Sequence, residues 1–460
     1  MSDEGLQQAR EKMEKAGVDP VAIDVFSHYY RLVEGGETGM IPESSITTIE
    51  MESLAGLEIP EEQGRDALGR TAVIKLNGGL GTSMGMDRAK SLLEVRNGLT
   101  FLDIIVRQVL ELRRRYDVSL PLILMNSFRT SADTLAALAG YDELAVEGLP
   151  LEFLQNKEPK LRADDLTPVS WPADPDLEWC PPGHGDIYTA MRGTGLIDRL
   201  LEAGYTQVFV SNSDNLGAVA DPRVAGWFAG SGAPFAIEAV RRTASDRKGG
   251  HFATRVEDGR IVLRETAQTL EEDKAALADL DRHKYASTNN LWIDLRAIKD
   301  ALDRHDGILG LALIKNTKTV DPADPSSPEV VQIETAMGAA IEVFDDARTI
   351  EVGRDRFVPV KTTNDLLVLR SDCYELGEDY VLDLRAPRVP FVDLDSGHYK
   401  LIGDFDARFP DGAPSLRRAE SLVVHGDWTF GADVGVRGDA VLEDEGAPGH
   451  IEPGCVLGQG

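Results

Sequence analysis

A glycine-rich loop directly after an apolar run constrains this chain more than any other feature. Residues 71–76 are long enough for one buried strand, and four glycines follow between Gly78 and Gly85. A loop with few side chains at the end of a strand lets backbone N–H groups approach a phosphate or a flat base. Lys90 adds a positive charge at the far end of the loop. An ordinary flexible connection is the alternative, but few such loops need glycines so closely spaced. We therefore predict a loop that binds phosphate or nucleotide.

The loop differs from the two commonest glycine motifs. A Walker A loop places lysine directly after glycine, whereas here Lys90 follows Gly85 by five residues. The dinucleotide motif needs a third glycine where Met84 stands, which disfavours an NAD-dependent dehydrogenase.

The net charge of −30 argues against a nucleic-acid-binding surface and against binding to an anionic membrane. A chain this acidic needs a local group of cations, a bound metal, or both to hold a polyphosphate. The three cysteines are far apart and lack zinc spacing, and the N-terminus resembles no secretory signal. We expect a cytoplasmic protein with no membrane partner.

The order of the predicted elements indicates an α/β protein with crossover helices. Residues 1–69 are charged and helical in character, and strands alternate with helices from residue 71. Thr100 and Asp103 have the spacing of a capping box, and residues 265–284 favour a helix. Further strands are predicted at 120–125, 151–154, 207–211, 235–240, 339–344 and 366–369.

The character of the sequence changes after about residue 403. Short valine-containing pieces then recur between glycines, at 422–424, 434–436, 440–442 and 455–457. Their spacing is typical of an irregular hexapeptide β-helix, in which each repeat forms one turn. A loosely folded tail rich in glycine and aspartate is the alternative.

Two polar segments are candidates for ligand binding. Residues 181–186 place His184 between two glycines after two prolines, so that its ring and the adjacent N–H groups could meet a ligand. Residues 212–217 follow a predicted strand, and ligands in open α/β sheets lie beyond the carboxyl ends of strands. Asp214 is the best candidate for a Mg²⁺ carboxylate. A turn histidine and an Asx turn are the alternatives.

Later polar residues suit a sugar phosphate. The amides at 289–290 and the carboxylate of Glu334 could bond sugar hydroxyls, which need both donors and acceptors. Lys361 lies between an apolar run and a polar turn, where a solvated lysine would also be ordinary. The sequence contains no pattern of an activated serine or cysteine nucleophile, so a covalent intermediate is not indicated.

Six motifs, in this order, resemble the eukaryotic-type UTP–glucose-1-phosphate uridylyltransferase (UDP-glucose pyrophosphorylase) family. They lie at 76–85, 181–186, 211–217, 288–292, 334–340 and 357–363, and the resemblance runs from about residue 20 to the C-terminus. It implies a small N-terminal helical part (1–69), a Rossmann-like nucleotidyltransferase domain with a mixed sheet (70–400), and a C-terminal left-handed β-helix (401–460).

The resemblance also implies roles for individual residues. Uridine would be held by four residues of the first loop, with Gln155 and Gly183 reading the uracil edge. Lys90 would bind the β- and γ-phosphates, Asp214 would hold Mg²⁺, and Lys361 would bridge the attacking phosphate and the α-phosphate. The uridine-binding residues are Leu76, Asn77, Gly78 and Gly79. Contacts to glucose 1-phosphate are expected from His184, Asn212, Asn289, Asn290 and Glu334, and it stays open which of the two neighbouring asparagines meets the sugar.

The implied reaction is Mg²⁺-dependent uridylyl transfer from UTP to glucose 1-phosphate, giving UDP-glucose and pyrophosphate. A broad-specificity or N-acetylhexosamine UDP-sugar pyrophosphorylase is the alternative within the superfamily, and Asn77 favours the glucose enzyme. A non-catalytic UDP-sugar-binding regulator would be expected to lack Asp214 and Lys361, and both are present. Assembly through the C-terminal domain is possible, and the sequence leaves it open.

Overall fold

The computed structural model describes residues 2–243, 246–247 and 249–458. Its helices are α1 (Ser2–Lys15), α2 (Pro20–Glu34), α3 (Glu61–Leu68), α4 (Phe101–Tyr116), α5 (Ser131–Leu138), α6 (Asp186–Gly193), α7 (Leu196–Glu202), α8 (Pro222–Ser231), α9 (Lys274–Leu277), α10 (Leu295–Arg304), α11 (Thr363–Arg370), α12 (Ser396–Tyr399) and α13 (Ile402–Arg408). Short 3₁₀ turns join several of them.

The strands of the described residues are β1 (Ile46–Thr47), β2 (Glu52–Ser53), β3 (Thr71–Asn77), β4 (Glu94–Arg96), β5 (Leu99–Thr100), β6 (Leu122–Asn126), β7 (Glu152–Leu154), β8 (Glu158–Pro159), β9 (Leu161–Arg162), β10 (Trp179–Cys180), β11 (Gln207–Asn212), β12 (Phe235–Arg241), β13 (His251–Arg255), β14 (Ile261–Arg264), β15 (Tyr285–Asp294), β16 (Leu313–Thr319), β17 (Glu329–Thr335), β18 (Arg348–Glu351), β19 (Tyr374–Leu376), β20 (Leu382–Leu384), β21 (Phe391–Leu394), β22 (Ser415–Val424), β23 (Trp428–Phe430), β24 (Gly435–Leu442), β25 (Gly449–Ile451) and β26 (Val456–Leu457).

An eight-stranded mixed sheet organises the centre of the protein. Its strand order is β2-β18-β12-β15-β11-β3-β6-β7, and β15 runs antiparallel to both of its neighbours while the other pairs are parallel. Parallel strands need long crossovers, and α4 provides the one between β3 and β6. The expected mixed α/β sheet is therefore confirmed, while its finer description as a Rossmann-like domain stays a prediction.

Both faces of the sheet are covered, which explains why its strands are continuous apolar runs. Val73 of β3 packs into one hydrophobic core with α4, whereas Ala72 and Ile74 pack into a second core with α1 and α2. Helix α4 begins at the predicted capping box, where Asp103 N donates to Thr100 Oγ1 (3.1 Å) and Thr100 N donates to Asp103 Oδ2 (2.9 Å). The helical character of the N-terminal segment is confirmed by α1, α2 and α3.

Four of the six further strands predicted above are confirmed as β6, β7, β11 and β12, and two are wrong. Residues 366–369 lie in α11, because Thr362 and Asp365 form a capping box ahead of an apolar run that is buried. Residues 339–344 begin in a buried 3₁₀ turn (Met337–Glu342). The helix expected over 265–284 is reduced to two 3₁₀ turns and α9.

The C-terminal valine pieces form parallel stacks. Strands β21, β22, β24 and β26 make a four-stranded parallel sheet, and β23 pairs in parallel with β25. Parallel stacking of short strands agrees with the expected one-turn repeats. The left-handed β-helix and the division into three domains stay predictions.

Among the described residues, none of the helices combines the length and the apolar character that a membrane crossing requires.

Candidate active site

The first glycine loop begins at the carboxyl edge of the central sheet, next to the end of β11. Leu76 of β3 pairs with Asn212 of β11, so the two predicted segments leave the sheet side by side. The loop then folds back on itself, because Lys90 N donates to Gly79 O (3.2 Å). This return brings the lysine back to the start of the loop. The carboxyl ends of parallel strands thus gather the residues expected to bind the nucleotide.

Asn77, the last residue of β3, turns its side chain into the protein. Its Nδ2 donates to Asn126 Oδ1 (2.8 Å) and to Thr134 Oγ1 (3.0 Å), and the residue is buried. The expected contact between residue 77 and the nucleotide is therefore left to its backbone. The side chain instead ties β3 to β6 and α5.

Gly78 lies against the side chain of Gln155. A Cβ at Gly78 would overlap the Gln155 amide, whereas a Cβ at Gly79 would meet no atom within 4 Å. Gly78 therefore lets the glutamine approach the loop backbone, and Gly79 faces open space. The structure brings both predicted base-binding elements together.

Lys90 and Asp214 form an ion pair at the centre of the site. Lys90 Nζ lies 2.9 Å from Asp214 Oδ2, and both side chains are mostly buried. Lys90 Nζ also donates to Val360 O, and Val360 N donates to Asp214 O (3.0 Å). Three distant segments therefore meet at one point, and the next residue after Val360 is Lys361.

Lys361 stands at the start of α11 with its side chain exposed. Its backbone N donates to Asp365 Oδ2 (2.8 Å), the carboxylate that also caps α11. Burial raises the pKa of the Glu265 carboxyl, and the positive charge of Lys361 partly offsets this rise. In the described part of the chain the Lys361 ammonium has no ion-pair partner, so its charge is available to a ligand.

The second glycine loop is bound to the end of β17. Thr335 N donates to Pro182 O (3.0 Å), and Gly185 N donates to Thr335 O (2.8 Å). Gly183 has φ +78°, and a Cβ on it would lie 2.5 Å from Thr335 O. Only glycine tolerates both this positive φ and the close approach of the Thr335 carbonyl. Glu334, the residue before Thr335, is thereby held beside this loop with its carboxylate half-buried.

His184 is a neutral histidine. Its Nδ1 accepts a hydrogen bond from Met337 N (2.8 Å), which requires that Nδ1 carry no proton. The side chain of His184 is exposed, so the hydrogen bond to Nδ1, and not burial, is the reason to assign the neutral ring. The ring thus has Nε2–H as its free donor near neutral pH.

Asp186 ties the second glycine loop to the segment that carries Gln155. Its carboxylate accepts from Asn156 N (2.6 Å) and from Asn156 Nδ2 (2.8 Å). Burial raises the pKa of Asp186 to about 6, against the effect of these hydrogen bonds. Gln155 and Gly183 are therefore parts of one connected unit.

The structure distinguishes the two neighbouring asparagines. Asn290 is fully buried, and its Nδ2 donates to Glu238 Oε2 (3.1 Å). Asn289 has φ +57° and is partly exposed, so it is the member of the pair that a sugar can reach. Asn212 is also partly exposed at the end of β11.

A buried ion pair that none of the sequence motifs predicted lies beneath the site residues, between β12 and the segment before Lys361. The Arg356 guanidinium donates to both oxygens of Glu238 (2.6 Å each), and Glu238 also accepts from Trp292 Nε1 (2.9 Å) and from Asn290. The pair holds β12, β15 and the segment leading to Lys361 together. A glutamate inside the apolar run 235–240 was the available signal.

Lys75 is a second residue that the sequence analysis did not use. Its Nζ donates to Ser211 Oγ (2.8 Å) and to Ala218 O (2.6 Å), which joins the two ends of the segment containing Asp214. Burial, followed by the nearby charge of Arg356, lowers the pKa of Lys75 to about 7. A lysine within an apolar strand was again the visible signal.

The donor set around Asp214 suits a single Mg²⁺ ion. No group of three or more metal-binding side chains is gathered within the residues that the structure describes. Mg²⁺ commonly takes one or two carboxylates and completes its octahedron with substrate phosphates and water. Asp214 supplies one carboxylate at the mouth of the site, beside Lys90.

Comparison with known proteins yields consistent matches. The family model described as UTP–glucose-1-phosphate uridylyltransferase matches residues 23–437. The UTP–glucose-1-phosphate uridylyltransferase of Hordeum vulgare is 37% identical over 471 residues, covering 99% of this chain and 95% of its own.

Two solved structures are similar over nearly the full length. A UDP-glucose phosphorylase from Trypanosoma brucei has a TM-score of 0.92 and 43% identity, covering 99% of this chain and 98% of its own. A variant UDP-glucose pyrophosphorylase from Leishmania major in complex with UDP-glucose has a TM-score of 0.93 and 42% identity, covering 98% of each chain.

Proposed function

This chain belongs to the UTP–glucose-1-phosphate uridylyltransferase family of nucleotidyltransferases, and we propose that it transfers the uridylyl group of UTP to glucose 1-phosphate. The products would be UDP-glucose and pyrophosphate. The observation that carries the proposal is the meeting of Lys90, Asp214 and Val360 at the carboxyl edge of the sheet. Because Val360 directly precedes Lys361, this contact supports a site with two lysines and one carboxylate in a strongly acidic chain.

The proposed reaction is one displacement at phosphorus. A phosphate oxygen of glucose 1-phosphate attacks the α-phosphorus of UTP, a new P–O bond forms, and the bond to the β-phosphate breaks. Pyrophosphate leaves with the bonding electron pair. The attacking phosphate is already deprotonated near neutral pH, so the reaction needs no general base. Catalysis then depends on positioning and on neutralising charge.

The two lysines supply the neutralising charge. The exposed ammonium of Lys361 would bridge the attacking phosphate and the α-phosphate, whose mutual repulsion opposes their approach. Lys90 would meet the β- and γ-phosphates by exchanging its ion pair with Asp214 for a contact with substrate. Such preorganised charges are typically worth about 10²–10³ in kcat.

The two ends of UDP-glucose would be recognised by different parts of the site. The backbone at positions 76–79, with Gln155 and Gly183, would hold the uridine. The Nε2–H of His184, the amides of Asn212 and Asn289, and the carboxylate of Glu334 offer donors and acceptors for glucose 1-phosphate. Asn290 would contribute by fixing the backbone of Asn289.

Asp214 is the residue that would hold Mg²⁺. A bound Mg²⁺ would supply further neutralisation of phosphate charge. The cytoplasmic location predicted from the cysteine spacing stays part of the proposal.

The test is pyrophosphate release from UTP, with and without Mg²⁺, over a panel of sugar 1-phosphates and nucleoside triphosphates. We expect release that requires Mg²⁺, UTP and glucose 1-phosphate. A higher kcat/KM with N-acetylhexosamine 1-phosphates, or equal values across the sugars, would support the alternative specificities. Absence of release with every pair would contradict the proposed function.

A further inference from the structure

A cationic cavity includes Lys361 of the candidate active site. It has a volume of about 270 Å³ and opens between the first glycine loop, the start of α11 and the segment that leads into α12. Lys361 and Lys400 both line it, and Asp393 is the carboxylate at its wall. Neither ammonium has an ion-pair or hydrogen-bond partner within the described residues. Two unpaired ammonium groups in one cavity are suited to a multiply charged anion.

The residues on both sides of Lys400 are fixed by packing. Tyr399 is fully buried, and its hydroxyl donates to Trp428 O (2.6 Å) in the C-terminal strand stack. Leu401 lies on the first glycine loop, since a Cβ on Gly85 would be 3.1 Å from Leu401 Cδ2. Lys400 is therefore carried by a segment that is attached at one end to the C-terminal stack and rests at the other on the loop.

The cavity is also lined by the residues at the start of α11, which follow Val360 in the chain. Asn364 Oδ1 of α11 accepts from Leu394 N (3.1 Å), which joins the start of α11 to β21. On the opposite side, Val360 contacts Lys90 and Asp214. Lys361 thus stands between the Lys90–Asp214 pair and the cavity that contains Lys400.

We propose that Lys400 binds the pyrophosphate part of the substrate, so that it is a further catalytic residue contributed by the C-terminal region. This inference rests on the proposed function. The ammonium of Lys400 contacts the β- and γ-phosphates of UTP and stabilises the charge that develops on departing pyrophosphate. With Lys361 it provides two positive charges in a cavity lined by the carboxylate of Asp393, and the carboxyl of Glu265 also lies near enough to interact with Lys361.

Comparing the substrates of the forward and reverse reactions distinguishes phosphate binding by Lys400 from a purely structural role. UTP and pyrophosphate both carry the phosphates that Lys400 would contact, whereas UDP-glucose lacks them. We would compare Lys400→Ala, Lys400→Arg and the control Lys15→Ala, whose side chain is 80% exposed on α1. The measurements are KM for UTP, KM for pyrophosphate in the reverse direction, and Kd for UDP-glucose.

Lys400→Ala should raise both KM values by at least about tenfold, as expected for loss of a hydrogen bond between charged groups. Lys400→Arg should restore them to within about threefold, and the Kd for UDP-glucose should stay within about twofold of the parent. Unchanged KM values, or an equal loss of UDP-glucose affinity, would overturn the inference. If the parent releases no pyrophosphate at all, the proposed function fails first, and that failure is visible before any variant is made.

Discussion

Lys90 Nζ lies 2.9 Å from Asp214 Oδ2, although 124 residues separate the two in the chain. The pair joins the return of the first glycine loop to the segment after β11, and the backbone of Val360 contacts both residues. Val360 directly precedes Lys361, whose exposed ammonium has no ion-pair partner among the described residues, so the contact brings the segment with this lysine to the pair in a chain of net charge −30.

Asp214→Asn should lower kcat by at least about a hundredfold, since a neutral amide neither holds Mg²⁺ as a carboxylate does nor balances the charge of Lys90. The measurement is pyrophosphate release over a Mg²⁺ titration. The apparent Mg²⁺ requirement should also rise. Asp142→Asn, at an exposed position, serves as the control and should behave as the parent. An unchanged Mg²⁺ titration would remove Asp214 from the proposed metal site.

Gly183→Ala should disable the second glycine loop, because the new methyl group would meet the Thr335 carbonyl at 2.5 Å in a backbone of φ +78°. Gly195→Ala is a matched control, since Gly195 has φ +67° but nothing within 4 Å of its Cβ position. Both variants suffer the backbone penalty of about 1 kcal/mol. Only Gly183→Ala should raise KM for UTP and glucose 1-phosphate several-fold. Equal changes of KM in the two variants would argue against the close approach of Gly183 to the Thr335 carbonyl.

Glu238→Gln should destabilise the protein strongly, because it leaves the buried guanidinium of Arg356 with only the more distant carboxylate of Asp221, at 3.9 Å, as an ion-pair partner. Removing one partner of a buried ion pair typically costs about 3–5 kcal/mol. The loss should appear as a lower midpoint of urea unfolding. Glu375→Gln disrupts a surface ion pair with Arg385 and should change the midpoint little. Similar midpoints for the two variants would contradict the claim that the buried pair contributes much more to stability than the surface pair.

Lys75→Met should change the pH dependence of stability. The pKa of Lys75 is about 7 in the folded protein and has an ordinary value of 10.5. Between these values the unfolded chain binds more protons, so the unfolding free energy of the parent rises with pH there, by up to about 1.4 kcal/mol per pH unit. The Tm of the parent should therefore increase relative to that of Lys75→Met from pH 7 to pH 10. The exposed control Lys15→Met should show a constant difference across this range.

Local signals in the sequence predicted much of the fold. The capping box of Thr100 and Asp103 and the strands β6, β7, β11 and β12 depend on neighbouring residues. The apolar run 366–369 was misassigned because a buried helix and a buried strand share the same composition. Thr362 and Asp365 carried the correct signal.

Only some of the contacts that bring the site residues together could be predicted from the sequence. The rule that ligands lie at the carboxyl ends of strands selected the segment after β11, and the structure pairs its residue Asn212 with Leu76 at the start of the first glycine loop. The approach of the Val360 backbone to Lys90 is accompanied by a bridge between Asn215 and Pro359, a pairing that no local pattern reveals. The buried amides of Asn77 and Asn290 show a second reason why the site could not be predicted fully. Residues that belong to a binding motif can direct their side chains into the protein, where they hold neighbouring elements together.

The most direct test of the account is the kcat of Lys361→Ala for pyrophosphate release from UTP and glucose 1-phosphate, with Lys15→Ala as the control. Loss of the charge that bridges the two phosphates should lower kcat by at least about a hundredfold while the control stays at the parent value. A kcat within about threefold of the parent would contradict the claim that Lys361 brings the two anions together.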